Sequence, residues 1–168
     1  MSAATAPADS ALPAASRRYE YVSHWRFDAP LEAVWRELMA VEDWPAWWPY
    51  VMRVETLKPG DARGLGAVHR IDWSSRLPYG FTLDVEVVEV ERLRCLRAQA
   101  RGDMEGTGLW ELWQDAAGAT CVRYTWCLVL HTRWMRLAAP LMAPVFRWNH
   151  EGVMRGGQRG LARHLGLG

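Results

Sequence analysis

Residues 147–165 read RWNHEGVMRGGQRGLARHL, a proline-free run that predicts one long helix at the end of the chain. At 100° per residue, one face of that helix carries small and polar side chains. They are Asn149, His150, Val153, Gly156, Gly157, Gly160, Leu161 and His164. A helix that fills a core would present Leu, Ile and Phe on this face. The glycines therefore indicate either close approach of a neighbouring backbone or empty space, and both explanations stay open.

The opposite face of the same helix is charged at every fourth position. Its residues are Arg147, Glu151, Arg155, Arg159 and Arg163. This spacing predicts a solvent-exposed face stabilised by ion pairs between successive turns. A nucleic-acid interface is disfavoured, because the whole chain has a net charge of only +1.

Seven segments upstream of the helix alternate between apolar and polar residues and predict strands. They are Tyr19–Phe27, Val51–Leu57, Ala67–Trp73, Tyr79–Glu91, Arg94–Arg101, Met104–Trp113 and Cys121–His131. The apolar phase slips at Val87-Val88, which predicts a β-bulge and a curved sheet. Short turns between most of the strands predict an antiparallel meander.

Two short helical segments follow the first strand. An apolar stripe predicts an amphipathic helix over residues 31–39. Asp43–Tyr50, rich in Trp and Pro, predicts a helical turn or a compact loop. Residues 134–146 are predicted to be helical but broken by Pro140 and Pro144. The predicted fold class is α+β: a curved seven-stranded antiparallel sheet wrapped around a long C-terminal helix, with two short helices after strand 1.

Length and composition predict one domain. Residues 1–16 are rich in Ala, Pro and Ser and predict a disordered tail, and residues 17–168 form the domain. No secretory signal or long apolar run is present, which favours a cytoplasmic protein without stable membrane insertion. Cys95, Cys121 and Cys127 are expected to be free thiols.

Eleven tryptophans suggest where a small molecule would bind. Aromatic walls with a few polar groups are typical of small-molecule pockets. The predicted ligand-binding residues are Trp73, Phe81, Trp110, Tyr124, Trp126, Asn149, His150 and Val153. The rigid apolar loop that holds Trp44, Trp47 and Trp48 is predicted to cover the cavity mouth, although it could instead seal the end of the sheet.

The order of these elements resembles that of a known superfamily. The residues that carry the resemblance are Trp25–Pro30 leading into Val34-Trp35, Trp44-Pro45 through Trp48-Pro49 and Val51, Gly64–Gly66, Gly106–Trp110, and Asn149-His150. Together they resemble the START-like or polyketide cyclase/dehydrase (SRPBCC) superfamily over about residues 19–165. The resemblance implies a helix-grip fold, here a START-like domain over residues 17–168, and a cavity for a lipid- or polyketide-like ligand. It implies no particular reaction.

Candidate chemistry is limited. The five histidines fall in separate elements, so no metal site is predicted, and no cofactor-binding motif is present. Acid–base catalysis would draw on His69, Tyr124, Asn149 and His150, each of which could equally be a hydrogen-bonded core residue.

Binding or carriage of a small hydrophobic molecule is therefore the first functional prediction. A cyclase or dehydratase acting in the same cavity is the alternative, and an interaction protein with a filled core is the third. The protein is expected to be a monomer or weak dimer.

Overall fold

The computed structural model describes residues 17–130 and 133–167. The predicted tail over residues 1–16 lies outside the described residues, as does His131 at the end of the seventh predicted strand. The strands are β1 (Arg17–Phe27), β2 (Val51–Lys58), β3 (Val68–Trp73), β4 (Phe81–Glu91), β5 (Cys95–Gly102), β6 (Glu105–Gln114) and β7 (Thr120–Leu130). The helices are α1 (Leu31–Met39), α2 (Trp44–Trp47) and α3 (Arg133–His164), with a 3-10 turn at Val41–Asp43.

The seven strands form one antiparallel sheet in the order β1-β7-β6-β5-β4-β3-β2. This arrangement confirms the predicted fold class. The register of β4 against β5 shifts between Val87 and Glu89, which confirms the predicted bulge. The pairing of β2, one of the two edge strands, with β3 has two further register shifts, between Val51 and Arg53 and between Thr56 and Lys58.

The long C-terminal helix differs from the prediction. The expected break at Pro140 and Pro144 was wrong, because α3 runs continuously from Arg133 to His164. A proline removes one backbone hydrogen bond and can bend a helix without ending it. None of the helices in the described part of the chain is long and apolar enough to span a bilayer.

The main core lies where α1 and α2 meet one end of the sheet. Alternation along β1 directs Trp25 and Phe27 inward, at 4% and 2% exposure, and α1 adds Val34 and Leu38 from its apolar stripe. The Pro30 carbonyl accepts hydrogen bonds from the first turn of α1, which fixes where that helix begins. This end of the sheet is closed by large side chains.

The glycines of α3 form a seam against the α2 segment. The Trp48 ring lies 2.5 Å from where a Cβ on Gly157 would be, and the Tyr50 ring lies 2.7 Å from the same point on Gly156. At Gly160 the obstacle is the backbone carbonyl of Trp47. Close packing rather than empty space is therefore found at all three positions, but the predicted close approach of a backbone is confirmed only at Gly160, since Gly156 and Gly157 face aromatic rings.

Candidate functional site

Two apolar clusters share the inner face of the sheet. The main core includes Trp25 and Val122, whereas a second cluster forms around Leu128 with Tyr19, Met104 and Trp126. Along β1, the residues between the clusters are Tyr21 and Ser23, and Ser23 is paired with Tyr124 of β7. We call the group Tyr21, Ser23, Tyr124 and His150 the polar junction. It is the point at which the inner face changes from sealed to partly accessible.

His150 of α3 is held between two tyrosines in the polar junction. Its ring stacks on Tyr21 at a centroid distance of 5.2 Å and faces Tyr124 at 6.3 Å. Ser23 Oγ lies 3.3 Å from His150 Nε2. Burial lowers the pKa of His150 to about 4. The imidazole is therefore neutral at physiological pH and can both accept and donate a hydrogen bond.

Tyr124 supplies a hydroxyl that stays protonated. Burial is the largest cause that raises its pKa above the usual value, and the nearby Cys127 adds to the shift. Its ring packs on Trp110 at a centroid distance of 4.2 Å. The hydroxyl occupies the space over Gly108, 2.8 Å from where a Cβ would be. A larger residue than glycine at 108 would therefore displace the hydroxyl.

The polar junction keeps accessible surface despite its depth. All four of its residues are half-buried, as is Trp126, whereas Trp25 and Val122 nearby are exposed by 4% and 1%. Tyr124 and His150 are deep enough for burial to shift both pKa values. The residues of the polar junction thus combine a deep position with residual accessible surface.

Asn149 holds a loop rather than facing the polar junction. Its side-chain Oδ1 accepts a hydrogen bond from the backbone N–H of Arg76 at 2.9 Å, in the connection between β3 and β4. The Arg76 guanidinium lies over the Trp148 ring, 3.7 Å from its centroid, and the Arg76 side chain fills the space where Gly152 lacks a Cβ. These contacts fasten the loop over residues 74–80 to α3.

Trp73 and Phe81 face each other where that loop begins and ends. Their rings stack at a centroid distance of 6.2 Å. The indole Nε1 of Trp73 is buried and has no acceptor among the described residues. A buried donor without a partner costs about 1–3 kcal/mol. It is a group that a bound carbonyl or hydroxyl oxygen could satisfy.

His69 lies apart from these groups. Its Nδ1 is 3.1 Å from Thr56 Oγ1, and that hydroxyl also donates to Glu42 next to α2. Burial lowers the pKa of His69, and the Glu42 carboxylate opposes that shift. Of the four predicted catalytic candidates, the structure brings only Tyr124 and His150 into contact.

The remaining predicted ligand-binding residues lie in the core. Trp110 and Val153 are 5% and 8% exposed. The predicted mouth residues Trp44, Trp47 and Trp48 are at most 6% exposed, and the indole Nε1 of Trp48 donates to the Val153 carbonyl at 3.0 Å. Their burial does not test whether they border an opening, so that role stays a prediction.

Three functional candidates were not singled out from the sequence. Tyr21 and Ser23 share the inward phase of β1 with Trp25, and a small polar residue in that phase was the available signal. Arg76 sits in an irregular loop, where no periodicity indicates which way a side chain points. Its contacts with α3 could not have been predicted from the spacing of residues in the sequence.

One cluster on the outer face has metal-ligand spacing. The ligand atoms of Glu89, Glu91 and Cys95 lie within 4.8 Å of one another. Both carboxylates already pair with arginines, Glu89 with Arg97 and Glu91 with Arg94. Burial first, and then the two carboxylates, raise the pKa of the Cys95 thiol, which disfavours the thiolate that a metal needs.

Comparison with known proteins adds to this geometry. A family profile described as polyketide cyclase / dehydrase and lipid transport matches residues 20–166. No curated protein sequence matches the chain. Many solved structures are similar in fold, among them the following three, each with less than a fifth of its residues identical.

The first is TTHA0849 from Thermus thermophilus, with TM-score 0.70 and 19% identity over 87% of this chain and 99% of that one. The second is the Zhui aromatase/cyclase from a Streptomyces species, with TM-score 0.68 and 15% identity over 89% and 93%. The third is a START superfamily protein from Mycobacterium smegmatis, with TM-score 0.67 and 11% identity over 87% and 98%. At these identities the likeness concerns the fold.

Proposed function

The chain belongs to the polyketide cyclase/dehydrase and lipid transport family, and we propose that it binds or carries a small hydrophobic molecule between the inner face of the sheet and α3. The supporting observation is the accessible surface at the polar junction, next to a fully sealed core. In this proposal the protein acts in the cytoplasm as a monomer or weak dimer.

The side chains that form the polar junction are themselves uncharged and suit an uncharged ligand. Aromatic rings from Tyr21, Tyr124 and Trp126 offer flat apolar surface. The hydrogen-bonding groups are a neutral imidazole, a serine hydroxyl and a phenol that stays protonated. A molecule with a planar apolar body and one or two carbonyl or hydroxyl oxygens fits this set.

A titration with N-phenyl-1-naphthylamine tests the proposal, because this neutral probe becomes strongly fluorescent in apolar surroundings. The wild-type protein should show saturable binding. Ser23→Phe, which fills the polar junction, should weaken binding at least tenfold. Val22→Phe is the matched control, since Val22 is the adjacent residue of β1 and is 46% exposed; its affinity should stay within twofold.

Two results would contradict the binding proposal. One is the absence of any saturable signal with the wild-type protein. The other is equal affinity for the Ser23→Phe and Val22→Phe variants, with both variants folded by circular dichroism.

A second candidate function, a cyclase or dehydratase, is favoured by the contact between His150 and Ser23 beside Tyr124. The neutral imidazole could remove a proton from a carbon between two carbonyls, while the Tyr124 hydroxyl donates a hydrogen bond to the enolate oxygen. The carbon nucleophile then attacks a second ketone, whose oxygen takes up the proton. Loss of that hydroxyl and a neighbouring hydrogen as water completes a dehydration.

A linear thioester with at least three ketone groups distinguishes the carrier from the enzyme, because its cyclisation to an aromatic ring can be followed by absorbance. An enzyme should accelerate cyclisation above the uncatalysed rate, and His150→Gln should lower turnover about 100-fold while probe affinity changes little. A carrier should show no acceleration in the wild-type protein.

A further inference from the structure

The outer face of α3 carries arginines without partners. Arg155, Arg159 and Arg163 are exposed, and successive members are about 6 Å apart along the helix axis. Within the described ranges, none of the three forms an ion pair, and neither does Glu151. The predicted ion pairs along this face were therefore wrong, since the small gain of an exposed pair does not fix two long side chains.

The arginines of the sheet behave differently. Most of those on its outer face make short contacts to a carboxylate, so their charge is locally neutralised. Examples are Arg70 with Asp84 at 2.7 Å, Arg97 with Glu89 at 2.7 Å and Arg123 with Glu111 at 2.7 Å. The uncompensated positive charge of α3 is thus a local feature of a chain whose net charge is only +1.

An exposed tryptophan lies within this basic face. Trp148 is 43% exposed, and by helical geometry it lies within about 20° of both Arg155 and Arg159. The guanidinium of Arg76 stacks on its ring. Trp and Arg are the residues most enriched among those that dominate binding energy at protein interfaces. We call Trp148, Arg155, Arg159 and Arg163, with Arg76, the basic patch.

We propose that the basic patch is a docking surface for an acidic helical face of another protein. Glutamates or aspartates four residues apart on a helix repeat at about the same 6 Å interval as the arginines. Guanidinium groups bind carboxylates through two parallel hydrogen bonds. An apolar residue among those carboxylates would cover the Trp148 ring.

The pattern fits a protein better than a phosphate backbone or a lipid surface. Glu151 lies in the charged face between Arg147 and Arg155, where it would repel phosphates but could accept a basic side chain from a partner. Over residues 143–164 of α3, where the side chains are described, Trp148 is the single exposed large hydrophobic residue, so the patch itself lacks the apolar row of a membrane-binding helix. The proposal does not depend on the interior site.

Fluorescence anisotropy with two labelled helical peptides tests the docking surface. One peptide carries glutamate at every fourth position, and the other carries glutamine there. The full-length protein should bind the glutamate peptide, with an affinity that falls as salt rises. The double variant Arg155→Glu/Arg159→Glu should weaken binding at least tenfold, and Trp148→Ser should weaken it severalfold.

The control is Arg92→Glu/Arg101→Glu, which makes the same charge change at two exposed arginines outside α3 and should stay within twofold of wild type. Equal binding of the glutamine peptide, or equal loss in both double variants, would overturn the proposal. So would a single-stranded oligonucleotide or a phosphatidylglycerol vesicle that binds as tightly as the glutamate peptide. Thermal unfolding checks that each variant is folded.

Discussion

Ser23 Oγ and His150 Nε2 lie 3.3 Å apart and join the first strand of the sheet to its last helix. The contact places an imidazole among tyrosine rings, where burial keeps it neutral. It also fixes α3 to a stretch of β1 whose inward side chains are half-buried. Stability, proton uptake and any ligand binding at the polar junction are therefore linked.

His150 should make folding stability depend on pH. Its folded pKa of about 4 lies below the ordinary value of 6.5, so the unfolded chain takes up a proton in a range where the folded chain does not. Stability should fall as pH decreases from about 6.5 to about 4, by at most about 3 kcal/mol. Urea unfolding across this range measures the slope.

The His150→Gln variant isolates this contribution. It should lack the part of the slope that comes from His150 while it keeps that of His69, whose pKa burial also lowers. Parallel curves for the variant and the wild type would show that His150 is not buried in its neutral form.

Gly160→Ala should destabilise the protein although alanine is the better helix former. The higher helix propensity of alanine would by itself stabilise α3 by about 1 kcal/mol. The new methyl group would overlap the backbone carbonyl of Trp47, which cannot rotate away, so a net loss of about 2–4 kcal/mol is expected. Urea unfolding measures this loss. The control Arg159→Ala, at an exposed position, should have nearly the stability of the wild type. A gain in stability for Gly160→Ala would mean that α2 moves freely.

Trp48→Phe should cost more stability than Trp47→Phe. Both rings are buried, but only Trp48 has an acceptor for its indole N–H, the Val153 carbonyl. Trp47 Nε1 is buried without an acceptor among the described residues, so its removal relieves an unsatisfied donor. The difference should be about 1–2 kcal/mol in chemical denaturation. A larger loss for Trp47→Phe would contradict this assignment.

Asn149→Leu should loosen the loop over residues 74–80. The substitution removes the acceptor of the Arg76 N–H at similar side-chain volume. Amide hydrogen exchange of Arg76 should accelerate at least tenfold, because local opening of the loop no longer requires that hydrogen bond to break. Exchange at Ile71, in the centre of β3, is the internal reference and should not change. An unchanged rate at Arg76 would mean that Asn149 does not hold the loop.

The sequence was sufficient to predict the strands and their inward faces. Most strands have one buried face, so their sequences alternate with a period of two, although β2 buries only Val51. The slip at Val87 marks the bulge directly. The predicted break in α3 was wrong because a proline inside a helix removes one backbone hydrogen bond without necessarily ending the helix.

The candidate site was predictable only in part. The alternation of residues along a strand correctly predicts that Tyr124 faces inward. It also puts His69 on the inward face of β3, but it does not predict that His69 contacts Thr56 and Glu42. Helical periodicity places Asn149 on the inward face of α3. Its hydrogen-bond partner is the backbone N–H of Arg76, 73 residues away in an irregular loop. Contacts between residues so far apart in the sequence depend on how the helices and strands pack in the folded chain, and they leave no pattern in the nearby sequence.

The register shifts of β2 have a consequence for aggregation. An edge strand offers unpaired backbone groups that another chain can extend into a continuous sheet. In β2 both ends are irregular and the exposed positions carry Arg53, Glu55 and Lys58, although Met52 is 62% exposed. A second copy could therefore add only a short, charged segment of backbone. This edge of the sheet therefore discourages cross-β growth.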